Sequence, residues 1–188
     1  EHFVEIIGQT TINARRALVF AALNDIEVLR KAIPGCEEIA KESYNEFSGT
    51  VMAKVGPIKS RFVGKASLEN VLPPESYTIV GEGKGGPAGT VKVTANVKLT
   101  DEGSSTTIAY EVEARIGGKL AQLGGPIVKK TAEKLSLAFF DNFQTLLDDT
   151  TPEASDVQPV NLHFLLDNKW IYLVITLVGL GIAAYLLF

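Results

Sequence analysis

Cysteine and histidine, the side chains that most often carry chemistry, are almost missing from this chain, with one and two of them in 188 residues. The single cysteine, Cys36, excludes an intrachain disulfide and gives no reason to invoke an oxidising compartment. It reads as a small buried apolar residue, since no neighbouring His or basic side chain marks its thiol as activated. His2 lies near the start and His163 beyond an acidic linker, so neither falls where a Ser-His-Asp or Cys-His centre could form. No HxxxH, HExxH or paired-cysteine spacing offers a metal site. Basic residues never run longer than two, and 18 of them against 22 acidic ones leave a net charge of −4, which argues against a nucleic-acid surface. The first eleven residues alternate polar and apolar side chains and lack the continuous hydrophobic core of a signal peptide. Glu69, Glu82, Glu111 and Glu113 share strand faces with Lys and Arg, a pattern that sends them to solvent and not into acid/base pairs.

What the chain does contain is, first, a helix-periodic apolar run from Pro126 to Leu147. Val128, Ala132, Leu135, Phe139, Phe143 and Leu146 recur at steps of three and four and draw one apolar stripe. Lys129, Lys130, Glu133, Lys134 and Asp141 lie mostly off it. Gly124 and Gly125 break the preceding structure and Pro126 suits a first helical turn, so a helix is expected to start near Pro126. Its bulky residues lie toward the far end. Ile127, Thr131 and Ala132 at the near end are smaller and leave space for a ligand pocket.

Ahead of that helix, alternation predicts strands over Phe3–Ile12, Glu38–Ser43, Phe47–Val55, Ile58–Val71, Tyr77–Lys84, Val91–Leu99 and Ile108–Ile116. Two short helices follow the first strand, Ala14–Asn24 with Leu18, Ala21 and Ala22 facing inward and Val19 as a further candidate for that face, and Ile26–Ile33, stopped by Pro34-Gly35. Such a meander, wet on one face and dry on the other, must cover its dry face, and the Pro126 helix is the available cover. Gly49, Ala53, Gly64, Ala66, Gly81, Ala95 and Ala114 are small inward positions. They read either as room left under the helix or as bends in a strongly curved sheet. Gly81, Gly83 and Gly86 spell GxGxxG, but a strand follows where a phosphate site needs a helix, so Gly85–Gly89 reads as a hairpin turn. Between the glycines of Gly117–Gly125, Leu120 and Leu123 form an apolar pair, either a pinned loop or a pocket lid.

A second long apolar run closes the sequence. Trp170–Phe188 has no charged side chain and as a helix would cover roughly 28 Å, the hydrocarbon thickness of a bilayer. Trp170 and Tyr172 at one end and Tyr185 near the other suit the interfacial belts, Lys169 can snorkel, and Gly179 and Ala183 could seat a neighbouring helix. The chain therefore divides into a domain over 1–148, an acidic linker over 149–161, and a juxtamembrane patch with a C-terminal transmembrane anchor over 162–188. The expected location is the cytoplasmic membrane, tail-anchored, with the domain facing the cytoplasm.

The order strand, two helices, strand meander and long C-terminal helix resembles the helix-grip fold of the START/polyketide-cyclase-like superfamily. That is an α+β fold in which a curved antiparallel sheet wraps a helix. Ile33-Pro34-Gly35-Cys36-Glu37, Val55-Gly56-Pro57-Ile58-Lys59 with Phe62-Val63-Gly64, and Gly117-Gly118-Lys119-Leu120-Ala121-Gln122-Leu123-Gly124 further resemble the CoxG family of carbon monoxide dehydrogenase subunits over about residues 2–147. The resemblance implies a non-catalytic partner of a molybdenum hydroxylase such as CO dehydrogenase. Such a partner attaches the enzyme to the membrane and, in members with an apolar cavity, holds a quinone. The residues independently supply an apolar pocket, no catalytic group and a membrane anchor, which suit a lipophilic molecule such as menaquinone whose prenyl tail lives in the bilayer. The expected lining is Val51, Phe62, Tyr77, Val93, Tyr110, Leu120, Leu123, Ile127 and Thr131, with Tyr77, Tyr110 and Thr131 donating hydrogen bonds to a quinone carbonyl. Two alternatives stand beside this reading. One is an adaptor that binds an oxidoreductase through its outer surface without a ligand; the other is a cyclase- or hydrolase-like enzyme, which would need an ionisable residue pointing inward.

Overall fold

Strand β1 (His2–Ile12) buries Val4, Ile6 and Ile12 on one face and pairs antiparallel, along its whole length, with the last strand, β7 (Thr106–Gly117). The computed structural model describes residues 2–150. Beyond β7 the sheet continues through β6 (Thr90–Asp101), β5 (Ser76–Lys84), β4 (Ile58–Leu72), β3 (Glu46–Val55) and β2 (Cys36–Lys41), every neighbour antiparallel. Short turns make this possible. Gly56 supplies the positive φ, +54°, of the two-residue β3–β4 hairpin, and Gly103 at φ +81° donates its N–H to Asp101 Oδ1 at 2.8 Å in the β6–β7 turn.

From β1 to the far edge strand β2 the chain crosses by two short helices, α1 (Arg16–Ala22) and α2 (Ile26–Ala32). Asp25 caps α2 by accepting from the N–H groups of Glu27 and Val28 at 2.8 and 3.3 Å. After β7 come a single helical turn, α3 (Lys119–Gln122), and the long α4 (Gly125–Thr150), which starts one residue before Pro126. The pinned segment around Leu120 is thus part helix. In α1 the inward face is partly turned from its expected position: Ala22 and the further candidate Val19 are buried with Phe20 and Leu23 packed beside them, whereas Leu18 and Ala21 are exposed. Seven residues make only two turns, so the packing of Phe20 against Tyr77, ring edge to face at 5.8 Å, sets the face in place of periodicity.

Two clusters divide the interior. The distal one gathers Ile12, Val19, Ala32, Leu99, Ile108, Phe143 and Leu147, and the proximal one Val4, Ile6, Ala88, Ile116 and Leu120. Helix α4 spans both, with its aromatics all in the distal half. Phe143 is fully buried and stacks on Phe139 at 5.8 Å, and Phe140 stacks on Tyr110 at 5.6 Å. Polar ties hold the same half in register: Asn142 Nδ2 donates to the Ala32 carbonyl at 3.1 Å and the Asn13 N–H to Gln144 Oε1 at 2.8 Å. Thr106, fully buried, donates its hydroxyl to the Ala14 carbonyl at 2.7 Å, satisfying a group that would otherwise be stranded. Among the described residues no helix is long and apolar enough to cross a membrane. Linker 149–161 beyond Thr150, His163 and the anchor residues Trp170, Tyr172, Gly179, Ala183 and Tyr185 lie outside the described residues.

Truncation of the distal anchor tests this arrangement: Phe143→Ala should cost about 3–5 kcal/mol in urea unfolding. Burial also holds the Tyr77 phenol protonated well above the ordinary tyrosine range. Its contribution to stability is complete below about pH 10 and is lost as pH rises above that. The urea midpoint should therefore fall above about pH 10, and Tyr77→Phe should remove that part of the decline.

Candidate ligand-binding cavity

In the proximal half, where α4 carries Val128, Thr131 and Ala132 in place of aromatics, the helix and the concave face of the sheet border an open cavity of about 490 Å³. That is within the range of small-molecule sites. Its walls come from every strand and from α3 and α4, and they are almost entirely hydrocarbon. Strand pairing explains why the sheet leaves room. One transverse row runs from Ile116 through Val91 to Gly83, Gly64, Gly49 and Ile39, three consecutive strands contributing glycine; the next row holds Val93, Gly81 and Ala66.

The three glycines of that row do different work. A Cβ on Gly83 would meet nothing within 4 Å, so its absence is open volume. A Cβ on Gly64 would stand 2.7 Å from the Glu82 carbonyl oxygen, and one on Gly49 2.8 Å from that of Glu38. Those two positions allow neighbouring backbones to close up as the sheet coils. Both readings of the small inward residues hold, at different positions. Of that set Ala95 alone lies off the cavity, and it is packed into the sheet.

The proximal end is closed by loops. A 3₁₀ turn at Gly86–Ala88 lays Gly89, at φ +118°, against the backbone of Gly117 and Gly118, where any side chain would collide. The Ser60 hydroxyl donates to the Gly85 carbonyl at 2.9 Å, and Phe62 lies beneath Gly85. A register shift between Cys36 and Glu38 at the start of β2 allows Cys36 to join the lining. Burial pushes the Cys36 thiol up, with Arg30 and the Glu38 carbonyl opposing.

Of the nine residues expected in the lining, Val51, Phe62, Val93, Leu120 and Thr131 are there, and four are not. Tyr77 sits in the distal core against Phe20, and Tyr110 lies over Gly8 with Phe140 stacked on it, between the two clusters. Alternation correctly turns both tyrosines inward, but the α4 aromatics occupy the half of the interior they face. Leu123 and Ile127 form an outer layer: a Cβ on Gly56 would stand 3.7 Å from Leu123 and 3.1 Å from Ile127, which is 42 % exposed. Thr131 lines the cavity but donates its hydroxyl to the Ile127 carbonyl at 2.9 Å, so it is no free donor for a carbonyl. Missed were Val4, Ile6 and Val112, which the alternation of β1 and β7 could have indicated, and Cys36, Ile33 and Ile39, which it could not. The charged residues that touch the edge of the cavity, Glu38, Lys65 and Glu82, are exposed.

The CoxG family of carbon monoxide dehydrogenase subunits matches residues 8–148. A conserved protein from Geobacillus kaustophilus is similar in structure, at TM-score 0.73 and 23% identity over 77% of this chain and 95% of that one. The ZhuI aromatase/cyclase of Streptomyces sp. R1128 follows at 0.61 and 13%, over 83% and 100%. A START superfamily protein of Mycobacterium smegmatis stands at 0.63 and 11%, over 78% and 99%. These likenesses show the fold. Among curated proteins none matches.

The glycine row yields a paired test by thermal melting. Gly83→Leu, whose side chain enters open volume, should leave stability within about 1 kcal/mol, while Gly64→Ala should lower it by about 1–3 kcal/mol through forced backbone separation.

Proposed function

The chain belongs to the CoxG family of carbon monoxide dehydrogenase subunits, and from that premise we propose that it is a non-catalytic carrier holding a lipophilic molecule, a quinone such as menaquinone, in the cavity under α4. It serves a molybdenum hydroxylase of the CO dehydrogenase kind. Trp170–Phe188 tethers it to the membrane, so that electrons from the hydroxylase reach the respiratory quinone pool. The observation that carries this reading is a cavity of about 490 Å³ with hydrocarbon walls. Hydrocarbon removed from water gains about 25 cal/mol per Å², a drive that a prenylated ring satisfies and a polar metabolite does not.

The available donors shape how such a ligand is held. Thr131 is engaged with its own helix and the two tyrosines lie elsewhere, so ring and prenyl chain are gripped by shape and apolar contact. A cyclase- or hydrolase-like enzyme needs an ionisable group turned into the cavity. The charged residues at its edge instead reach solvent, which favours the carrier over the enzyme. The empty volume likewise favours a carrier over an adaptor that has no ligand.

Protein purified from membranes and extracted into organic solvent should release a quinone near one per chain by mass spectrometry, and emptied protein should take up added menaquinone. Gly83→Leu, by occupying the floor, should cut uptake at least tenfold. Absence of quinone from the extract together with no uptake by the emptied protein would reject the carrier reading.

A further inference from the structure

The loops that close the proximal end of the domain carry charge of one sign. Residues 50–63, 84–90 and 117–132, bounded by the register row Thr50, Val63, Lys84, Thr90 and Gly117, supply these loops and contain seven of the chain's 18 basic residues and none of its 22 acidic ones, while Glu37 at the same level on β2 is paired with Arg61. At the end itself, Lys54 and Lys59 face each other across the β3–β4 hairpin, a like-charged pair that a fold retains only against some other gain. Lys84 precedes the β5–β6 turn, Lys119 opens α3, and Lys129 and Lys130 follow Ile127 on α4. All six are exposed, and among the described residues none of them forms an ion pair. Glu133 is the one carboxylate in the first three turns of α4.

Contacts already described draw these segments together. The Gly56-Pro57 tip meets Ile127 and Leu123, the β5–β6 turn meets Gly118, and Ser60 ties the hairpin to Gly85. Pro57, Pro126 and Ile127 are exposed within this set of lysines, which gives an apolar tip in a basic surround. The other pole has the opposite character. Arg16 of α1 lies 3.9 Å from each of Glu75 and Asp101 at the β4–β5 and β6–β7 turns, and Glu102, Asp148 and Asp149 are exposed there or at the end of α4.

We propose that the proximal end, with Pro57 and Ile127 at its tip and Lys54, Lys59, Lys129 and Lys130 around them, docks on a bilayer surface rich in anionic phospholipid. An anionic leaflet attracts lysines at short range and repels the acidic pole, so the charge separation orients the domain as well as holding it. Ile127 and Leu123 are the layer between this tip and the cavity wall at Val128 and Leu120, so the docked end is the one nearest the cavity. The docking surface rests on the carrier reading only for what the cavity holds. Thr150 lies about 35 Å from Ile127 along α4, and residues 151–169 have a contour length of roughly 60 Å, so a tether leaving the acidic pole does not prevent the basic pole from reaching the same membrane.

The test uses the full chain with one reporter. In a Trp170→Phe background, which removes the only tryptophan, Ile127→Trp marks the basic tip and Leu18→Trp, also at an exposed position, marks the other pole. Each is reconstituted into vesicles of acyl-brominated phosphatidylcholine with or without about one-third phosphatidylglycerol. Ile127→Trp fluorescence should fall at least twofold on the anionic vesicles and little on the neutral ones, while Leu18→Trp stays unquenched on both. Adding Lys54→Gln, Lys59→Gln, Lys129→Gln and Lys130→Gln, or raising salt to about 1 M, should return quenching to the neutral-vesicle level. Unchanged melting curves for the variants show that folding is not the cause. Ile127→Trp unquenched on anionic vesicles, or Leu18→Trp quenched equally, overturns the proposal, and the first result leaves the lysines to an acidic protein. Quinone measured in the same samples keeps the two readings apart. Quenching without quinone supports docking and counts only against the ligand, while quinone without quenching overturns docking and leaves the carrier.

Discussion

A curled antiparallel sheet with one apolar face cannot be left open to water, and everything else in this domain follows from how that face is covered. Helix α4 is the main cover, but it is not uniform along its length. Its distal half brings Phe139, Phe140, Phe143 and Leu147 down onto the sheet, and its proximal half brings Val128, Thr131 and Ala132. The sheet is graded in the same direction, with Leu99, Ile108 and Tyr77 distally and a row of glycines proximally. Large meets large and small meets small, so one end is packed and the other is hollow.

This separation lets a stable domain keep an empty interior. A cavity lined by hydrocarbon forfeits dispersion contacts and weakens the fold. Here the loss is confined to a region whose walls are braced otherwise: by backbone packing of Gly89 on Gly118, by the Ser60–Gly85 hydrogen bond, and by the long register of β1 on β7. The polar ties of α4, through Asn142 and Gln144, all lie in the packed half. Among the described residues, the side-chain hydrogen bond of the proximal half, from Thr131 to the Ile127 carbonyl, stays within the helix. Charge at the two ends follows the same axis, with exposed lysines on the loops that close the hollow end and Glu75, Asp101 and Glu102 at the turns of the packed one, while Glu38 and Glu82 flank the cavity between them. Stability, volume and surface potential are therefore three aspects of one gradient along α4.

Much of this was legible in the linear pattern because strands and helices report burial through their periods. Residues at steps of two mark the inward face of every strand from β3 to β7, and steps of three and four mark the α4 stripe from Val128 to Leu146. The size gradient along that stripe already pointed to space at its near end. Short elements were less legible: two turns of α1 carry too little periodicity to tell Leu18 from Val19, and α3 is one turn between glycines. Motifs at Ile33–Glu37, Val55–Lys59 and Gly117–Gly124 identified the family, and in the fold all three lie around the cavity or its proximal closure.

Residue type and local spacing are enough to turn the strand side chains inward and to require a helical cover for that face. Which of those inward residues touch the void depends instead on the assembled fold. Tyr77 and Tyr110 face the same interior as Val51 and Val93, yet they pack against Phe20 and Phe140, because strand register and the placement of α4 determine which half of the interior each one occupies. The same holds for the glycines: alternation shows that Gly49, Gly64 and Gly83 point inward, but whether a missing Cβ leaves room or allows two backbones to approach depends on neighbours many residues away in the chain.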